Sequence, residues 1–314
     1  MFVVARWFEF SQRLERPNRI IYLERIMMRH LTWLLLVAGF CASGEDAYAK
    51  KIKMRPEGPM SLRPIHVTPG DIQVYMGPYA APKFGTFNEA GLTMFKLPDF
   101  GDEKTDDFWF FQTGIGYGVT KGLEVGALMP STQISPETRS GDLPIYGRYV
   151  SDNDSTAVGI QLGVTIPLRS EEDAGFWKVN PGLHVDSRWD GGRVELGVFI
   201  PTTFMKQGDE SYTRIEGNFP LRVLFDVGKR GFLALDTGYR NLDFDQDYLS
   251  FIPLGFGGGY TVKAGDVLLD FTGSLMWQTF LWAGAPDEVD DQIIEDSYTI
   301  SFGVNARFEL GGGK

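Results

Sequence analysis

Residues 296–310 read Asp296-Ser297-Tyr298-Thr299-Ile300-Ser301-Phe302-Gly303-Val304-Asn305-Ala306-Arg307-Phe308-Glu309-Leu310, and they alternate without a fault. Tyr298, Ile300, Phe302, Val304, Ala306, Phe308 and Leu310 form an apolar face; Ser297, Thr299, Ser301, Gly303, Asn305, Arg307 and Glu309 form a polar one. A period of two over this length specifies a β-strand with one apolar and one polar side. The run exceeds the usual strand of a soluble protein and can cross a bilayer's hydrocarbon at a steep tilt. The pattern recurs upstream at regular spacing. It predicts an all-β fold, a transmembrane antiparallel β-barrel of about twelve strands in up-and-down order.

Composition agrees. In 314 residues, 43% are hydrophobic and mean hydropathy is slightly negative, which excludes a bundle of transmembrane helices. A membrane barrel looks soluble by composition because half of each strand faces a polar lumen. The 38 glycines and the 14% aromatic content suit turns, crowded lumen positions and interfacial girdles. A net charge of −11 leaves no basic stripe to meet phosphates, so nucleic acid is not an expected partner.

Residues 1–49 read as a processing segment. Met27-Met28-Arg29-His30 precedes an apolar run from Leu31 to Phe40, and a small and polar stretch then ends in Ala47-Tyr48-Ala49. That is the basic, apolar and A-x-A order of a cleaved secretory signal, and its apolar run is too short to span as a helix. A start codon assigned upstream of Met27 or Met28 explains the charged residues before them; a cytosolic extension is the alternative. Cys41, the one cysteine, lies in this segment, so a mature chain beginning at Lys50 holds no disulfide.

Residues 50–84 are basic and then rich in Pro and Gly, with Pro56, Pro59, Pro64, Pro69, Pro78 and Pro82 arguing against a central strand or helix. Two readings stay open. One is a plug folded into the lumen, which the apolar residues between Asp71 and Tyr79 favour; the other is a flexible periplasmic tail. Residues 85–310 are the expected barrel, and 311–314 are a short tail.

Twelve alternating segments centre on residues 86–97, 107–119, 122–130, 142–151, 156–168, 179–190, 192–205, 213–228, 231–242, 249–263, 266–280 and 296–310. Their connections alternate between short and long, as periplasmic turns and external loops do in outer-membrane barrels. An even number puts both ends of the barrel in the periplasm. Asp190-Gly191 signals a type I′ hairpin, which sets Arg188 opposite Arg193 and Asp186 opposite Glu195. Similar reasoning pairs Arg222 with Asp236 across 228–230, and Lys263 with Asp266 across Ala264-Gly265.

With the apolar face toward lipid, the expected pore-lining residues are Glu124, Arg148, Asp186, Arg188, Arg193, Glu195, Arg222, Asp236, Asp270 and Arg307, with Asp226 and Glu309 beside them. Most fall in the short-turn half of their strands. Phe108, Phe110, Tyr146, Phe199 and Phe251 are inward positions nearer the long loops, which predicts an aromatic funnel above a zwitterionic floor. The plainer explanation of the charges is mutual pairing that fills and stiffens the barrel.

No catalytic constellation is expected, and no cofactor or metal. His30 leaves with the signal, His66 lies in the Pro-rich segment, and His184 has a parity opposite to that of Ser187. Gly255, Gly257 and Gly259 share the inward face, where they relieve crowding or let a plug approach. Acidic runs in two external loops (Asp99, Asp102, Glu103, Asp106 and Asp107; Asp287, Glu288, Asp290, Asp291, Glu295 and Asp296) suit solvated loops, or calcium bridged to lipopolysaccharide.

The second hairpin, Gly116-Tyr117-Gly118-Val119-Thr120-Lys121-Gly122-Leu123-Glu124-Val125-Gly126-Ala127-Leu128-Met129-Pro130, resembles the G-x-G-V-T-x-x-L-E-V-G-x-x-x-P hairpin of the bacterial phenol-degradation-pathway (MetA-like) outer-membrane transporters. Gly163-Val164-Thr165-Ile166-Pro167-Leu168 resembles a second piece, a strand ending in Pro before an external loop. The resemblance implies an outer-membrane channel for aromatic compounds. The expected function is thus passive movement of small solutes, hydrophobic or aromatic ones among them, through a barrel that is not an enzyme. Expected partners are outer-membrane lipid, lipopolysaccharide, the barrel-insertion machinery and the solute itself. A non-conducting structural or adhesive barrel displaying acidic loops is the alternative.

Overall fold

The computed structural model describes residues 60–63, 65–79, 91–96, 107–130, 132–135, 139–153, 155–168, 176–207, 210–245, 250–283 and 298–308. The signal segment, Lys50, the chain end from Glu309 and both acidic runs except Asp107 lie outside them. The described chain is a closed antiparallel β-barrel of twelve wall strands. Strand β1 is composite, from Ile72–Tyr75 and Gly91–Lys96; β2 is Phe108–Gln112 with Gly114–Thr120, and β3 is Leu123–Leu128 with Thr132–Ser135. Then follow β4 (Arg139–Ser140 and Leu143–Asp152), β5 (Thr156–Ile166), β6 (Trp177–Trp189) and β7 (Gly192–Phe199 and Thr202–Gln207). The rest are β8 (Glu210–Ile215 and Gly217–Val227), β9 (Gly231–Asn241), β10 (Ser250–Ala264), β11 (Val267–Ala283) and β12 (Tyr298–Phe308).

Alternation decides which way each residue faces. Ile160 is 61% exposed and Leu162 54%, whereas Gln161 between them is 5% exposed. The same contrast separates Ile300 and Phe302 from Ser301 on β12. Such an unbroken apolar exterior has no place in water, so the barrel spans a membrane. Among the described residues no helix is long and apolar enough to do so.

The Asp190-Gly191 hairpin has the expected register, with Arg188 opposite Arg193 and Asp186 opposite Glu195. Gly191 supplies the positive φ, 90°, that this turn needs. Arg222 likewise faces Asp236. The turn after β10 differs: Ala264 pairs with Val267, so Lys263 stands opposite Leu268 and not Asp266. The chain turns one residue later than Ala264-Gly265 suggested because Gly265 holds the left-handed conformation, φ 62°, inside the turn.

The first strand is the main departure. Of the expected run 86–97 the described strand is Gly91–Lys96, in the long-loop half, the rest lying outside the described residues, and Ile72–Tyr75 forms the wall in the short-turn half. Ile72, Gln73 and Val74 pair with Phe308, Arg307 and Ala306 on one side. On the other, Ile72 through Tyr75 pair with Tyr117 back to Gly114. A Cβ on Gly91 would come within 3.1 Å of the Gly77 Cα, so the two pieces meet in the wall. Pro69 and Pro78 bracket the first piece without entering it, and thus delimit a strand where their density argued against one. The same segment contains a short 3-10 helix, Met60–Leu62.

Candidate functional site

Residues 60–63, 65–71 and 76–79 flank the wall piece Ile72–Tyr75, lie against the inside of the barrel in its short-turn half and meet the charges that its strands turn inward. Arg63 Nη1 donates to both Asp270 oxygens at 2.7 and 2.8 Å, and Nη2 donates to Thr261 Oγ1 at 2.6 Å. The Ser61 hydroxyl and amide donate to Asp226. Arg148 donates to the Ile65 carbonyl and, at 2.7 Å, to Glu124 Oε2, which also accepts the Val67 amide at 2.9 Å. The other Glu124 oxygen accepts from Tyr75 at 3.0 Å and Tyr146 at 2.5 Å. Across the lumen the Tyr79 hydroxyl donates to Asp236 at 2.9 Å, and the Arg222 guanidinium lies 4.7 Å from the Tyr79 ring centroid.

Small residues make room for this. A Cβ at Gly257 would strike the Tyr79 hydroxyl, one at Gly118 the Thr68 carbonyl, and one at Gly303 the Met76 carbonyl. The wall is therefore shaped to receive the segment. Asn305 clamps its exit, accepting from the Met76 and Gly77 amides at 3.2 and 3.0 Å and donating to the Pro78 carbonyl at 3.0 Å. Arg307 donates to Gln73 at 3.1 Å.

The remaining floor charges form one alternating chain. Asp152 meets Arg188 at 2.8 Å, and Arg188 meets Asp186 at 2.5 Å. Arg193 follows, 3.7 Å from Asp186 and paired with Glu195. Arg222 then bridges Glu195 at 3.4 Å and Asp236 at 2.6 Å. The network is longer than the square of four that the hairpin alone implied, because β4, β8 and β9 add Asp152, Arg222 and Asp236. It also holds the inner segment, since Arg193 donates to the Arg63 carbonyl at 3.1 Å. His66 sits beside this chain, its Nδ1 3.7 Å from Asp152. Burial holds its imidazole below the ordinary histidine value; Asp152 opposes that and Arg148 adds to it.

Among the described residues, the charged residues expected to line the pore face inward, where they meet neighbouring charges or residues 60–79; Glu309 lies outside the described residues. The aromatic positions differ in what they touch. Tyr146 is tied to Glu124, and Phe199 is fully buried with its ring packed over Gly182 and Gly197. Phe251 is also buried, while Phe108 and Phe110 stack with ring centroids 6.4 Å apart. His184 covers Gly159 on the inner face, whereas Ser187 is on the outer one.

One cavity lies nearer the long loops. Its volume is about 150 Å³, and it is lined by Lys178, Glu216, Asn218, Arg240, Pro201 and Leu128 among others. Lys178 reaches both Glu216 oxygens at 3.3 Å, and Arg214 reaches one at 2.9 Å. Sequence reading missed these residues because Lys178 and Arg214 stood at the ends of the expected strands, where a charge reads as a solvated rim.

No protein-family model and no curated protein matches the chain. Among solved structures it is similar to a NanC porin, at 12% identity over 70% of this chain and 100% of that one, with a TM-score of 0.45. A porin refined at 1.8 Å is 10% identical over 74% of this chain and 70% of the other, TM-score 0.36. The CymD monoaromatic hydrocarbon channel is 12% identical over 64% and 52%, TM-score 0.27.

Proposed function

We propose that the protein is an outer-membrane channel for passive movement of small solutes, constricted at its short-turn end by the residues on either side of Ile72–Tyr75, 60–71 and 76–79. The observation that carries this is the division of the lumen: a segment fitted to the wall fills one half, and the other half holds a cavity of mixed polar and apolar lining. Twelve strands enclose more space than eight and less than sixteen, which suits a narrow, selective path. The apolar exterior contacts lipid, and lipopolysaccharide and the insertion machinery are the partners such a barrel meets. The hairpin at 116–130 supports an aromatic solute, through its resemblance to the phenol-pathway transporters. Nothing in this reading calls for a catalytic step.

The density of bonds between the inner segment and the wall favours a second reading, a closed barrel that anchors or displays its loops. Single-channel recording in planar bilayers separates the two. Removing residues up to Thr68 takes out Ser61, Arg63 and the Val67 contact but keeps Ile72–Tyr75 in the wall. Conduction that rises in the truncated barrel above a measurable wild-type level supports the channel; silence in both supports the anchor.

A further inference from the structure

Beneath the cavity in the long-loop half lies a layer whose polar groups go unmet. The cavity lining includes Gly163 of β5, Asn180 of β6 and Pro201 between the two pieces of β7. The next inward positions toward the short turns are Gln161, Gly182 and Phe199. Register sets them in one row, with Gln161 and Phe199 opposite Gly182 on either side. The Phe199 ring lies along that row, fully buried, one edge where a Gly182 side chain would stand and the other where a Gly197 side chain would. Gly197 in turn is opposite His184. Gln161 is 5% exposed and His184 2%, yet the amide oxygen and nitrogen of Gln161 and both ring nitrogens of His184 have no hydrogen-bond partner among the described residues. Buried polar groups without partners are costly unless a water or a ligand meets them. The charges beside them are held in ion pairs, Arg148 with Glu124 and Asp186 with Arg188, so an added ion would find its counter-charge taken.

We propose that Phe199 closes the cavity off from a binding position on Gln161 and His184, and that this position takes a small neutral solute able both to donate and to accept hydrogen bonds, of the primary-amide kind. A glutamine amide offers two donors and an acceptor, and an uncharged imidazole one of each, so a solute with only one kind of group leaves the other unmet. Burial of the ring favours the closed arrangement, and the unmet polar groups beneath it favour the open one. Two opposed terms are what a gate requires. The proposal names a gate and a solute class for the channel described above; it rests on that reading for how the solute arrives and not for whether it binds.

The test uses the full mature barrel in detergent and reads labelling of His184 by diethyl pyrocarbonate, through mass spectrometry of the peptide that carries it. Labelling should be slow in the wild type and at least about tenfold faster in Phe199→Ala, the population shift that meeting one buried polar group is worth. Gly182→Ala puts a methyl group where the ring edge lies and should speed labelling with the ring still present, which keeps the test open if Phe199→Ala fails to fold. Phe251→Ala removes a buried inner aromatic of β10 and should leave the rate unchanged. In the opened barrel acetamide should protect His184, and acetone, which accepts but cannot donate, should not; Gln161→Leu should abolish that protection. Fast labelling of the wild type, no acceleration in either ring variant, equal acceleration in Phe251→Ala, or equal protection by the two compounds overturns the proposal. Protection by acetamide in a barrel that never conducts would refute the channel and leave the site standing.

Discussion

Replacing Arg63 by alanine should release the inner segment without opening the wall. Arg63 gives Asp270 two hydrogen bonds and Thr261 a third, all at 2.6–2.8 Å, and both members of the ion pair are almost fully buried. After the change Asp270 keeps only the Thr261 hydroxyl, at 2.7 Å. Breaking one side of a buried pair costs about 3–5 kcal/mol. Water entering the vacated lumen rehydrates Asp270, which places the expected cost at the lower end, about 3 kcal/mol. That amounts to about a hundredfold in the population of the undocked segment. Hydrogen exchange read by mass spectrometry is a direct assay: amides of 60–70 should lose about two decades of protection, while β5 and β6 keep theirs. Unchanged protection of 60–70 would show that Arg63 does not hold the segment. Equal loss in the wall strands would show that segment and barrel are one cooperative unit.

Three further outcomes are expected. Gly257→Val should destabilise the barrel by about 1–3 kcal/mol by pushing Tyr79 off Asp236, read from the urea midpoint of the heat-modifiable gel band. Ile160→Arg places a charge on the lipid face and should cost about 2–4 kcal/mol if near the midplane, whereas Thr165→Arg, which faces the cavity, should cost far less; equal costs would invalidate the assignment of faces. His66 is held below its ordinary value of 6.5, so the folded protein binds fewer protons than the unfolded chain as pH falls through that value. Its contribution is therefore present above pH 6.5 and lost as pH drops below it, and comparison of urea midpoints at neutral and acid pH for wild type and His66→Gln should show a smaller loss in the variant.

Much of the wall was legible because a period of two leaves little choice: one slip would turn Ile160 and Leu162 inward and Gln161 into lipid. Register was legible where a single turn type dominated, as at Asp190-Gly191, and misread at Ala264-Gly265, where two adjacent residues can each begin the turn. The first strand was obscured by its own prolines and by its division between residues far apart in sequence. Inward charges could be named from parity, but their partners could not, since Arg63, Ser61 and Tyr79 carry no periodic signal and are placed only by the strands that receive them. The cations around Glu216 were overlooked for a related reason. Strands β6, β8 and β9, with β7 between the first two, bring together residues that look like separate loop ends on paper.

The divided first strand has a consequence for assembly. The final strand, β12, must pair along its lower half with Ile72–Val74 and along its upper half with Leu92–Lys96. The last seam of the barrel can thus zip only after the amino-terminal piece has arrived between β12 and β2. Closure of the cylinder and installation of its internal segment are then one event, and a barrel that omitted the segment would be left with unpaired backbone in the seam. Quality control is built into the order in which the wall is completed.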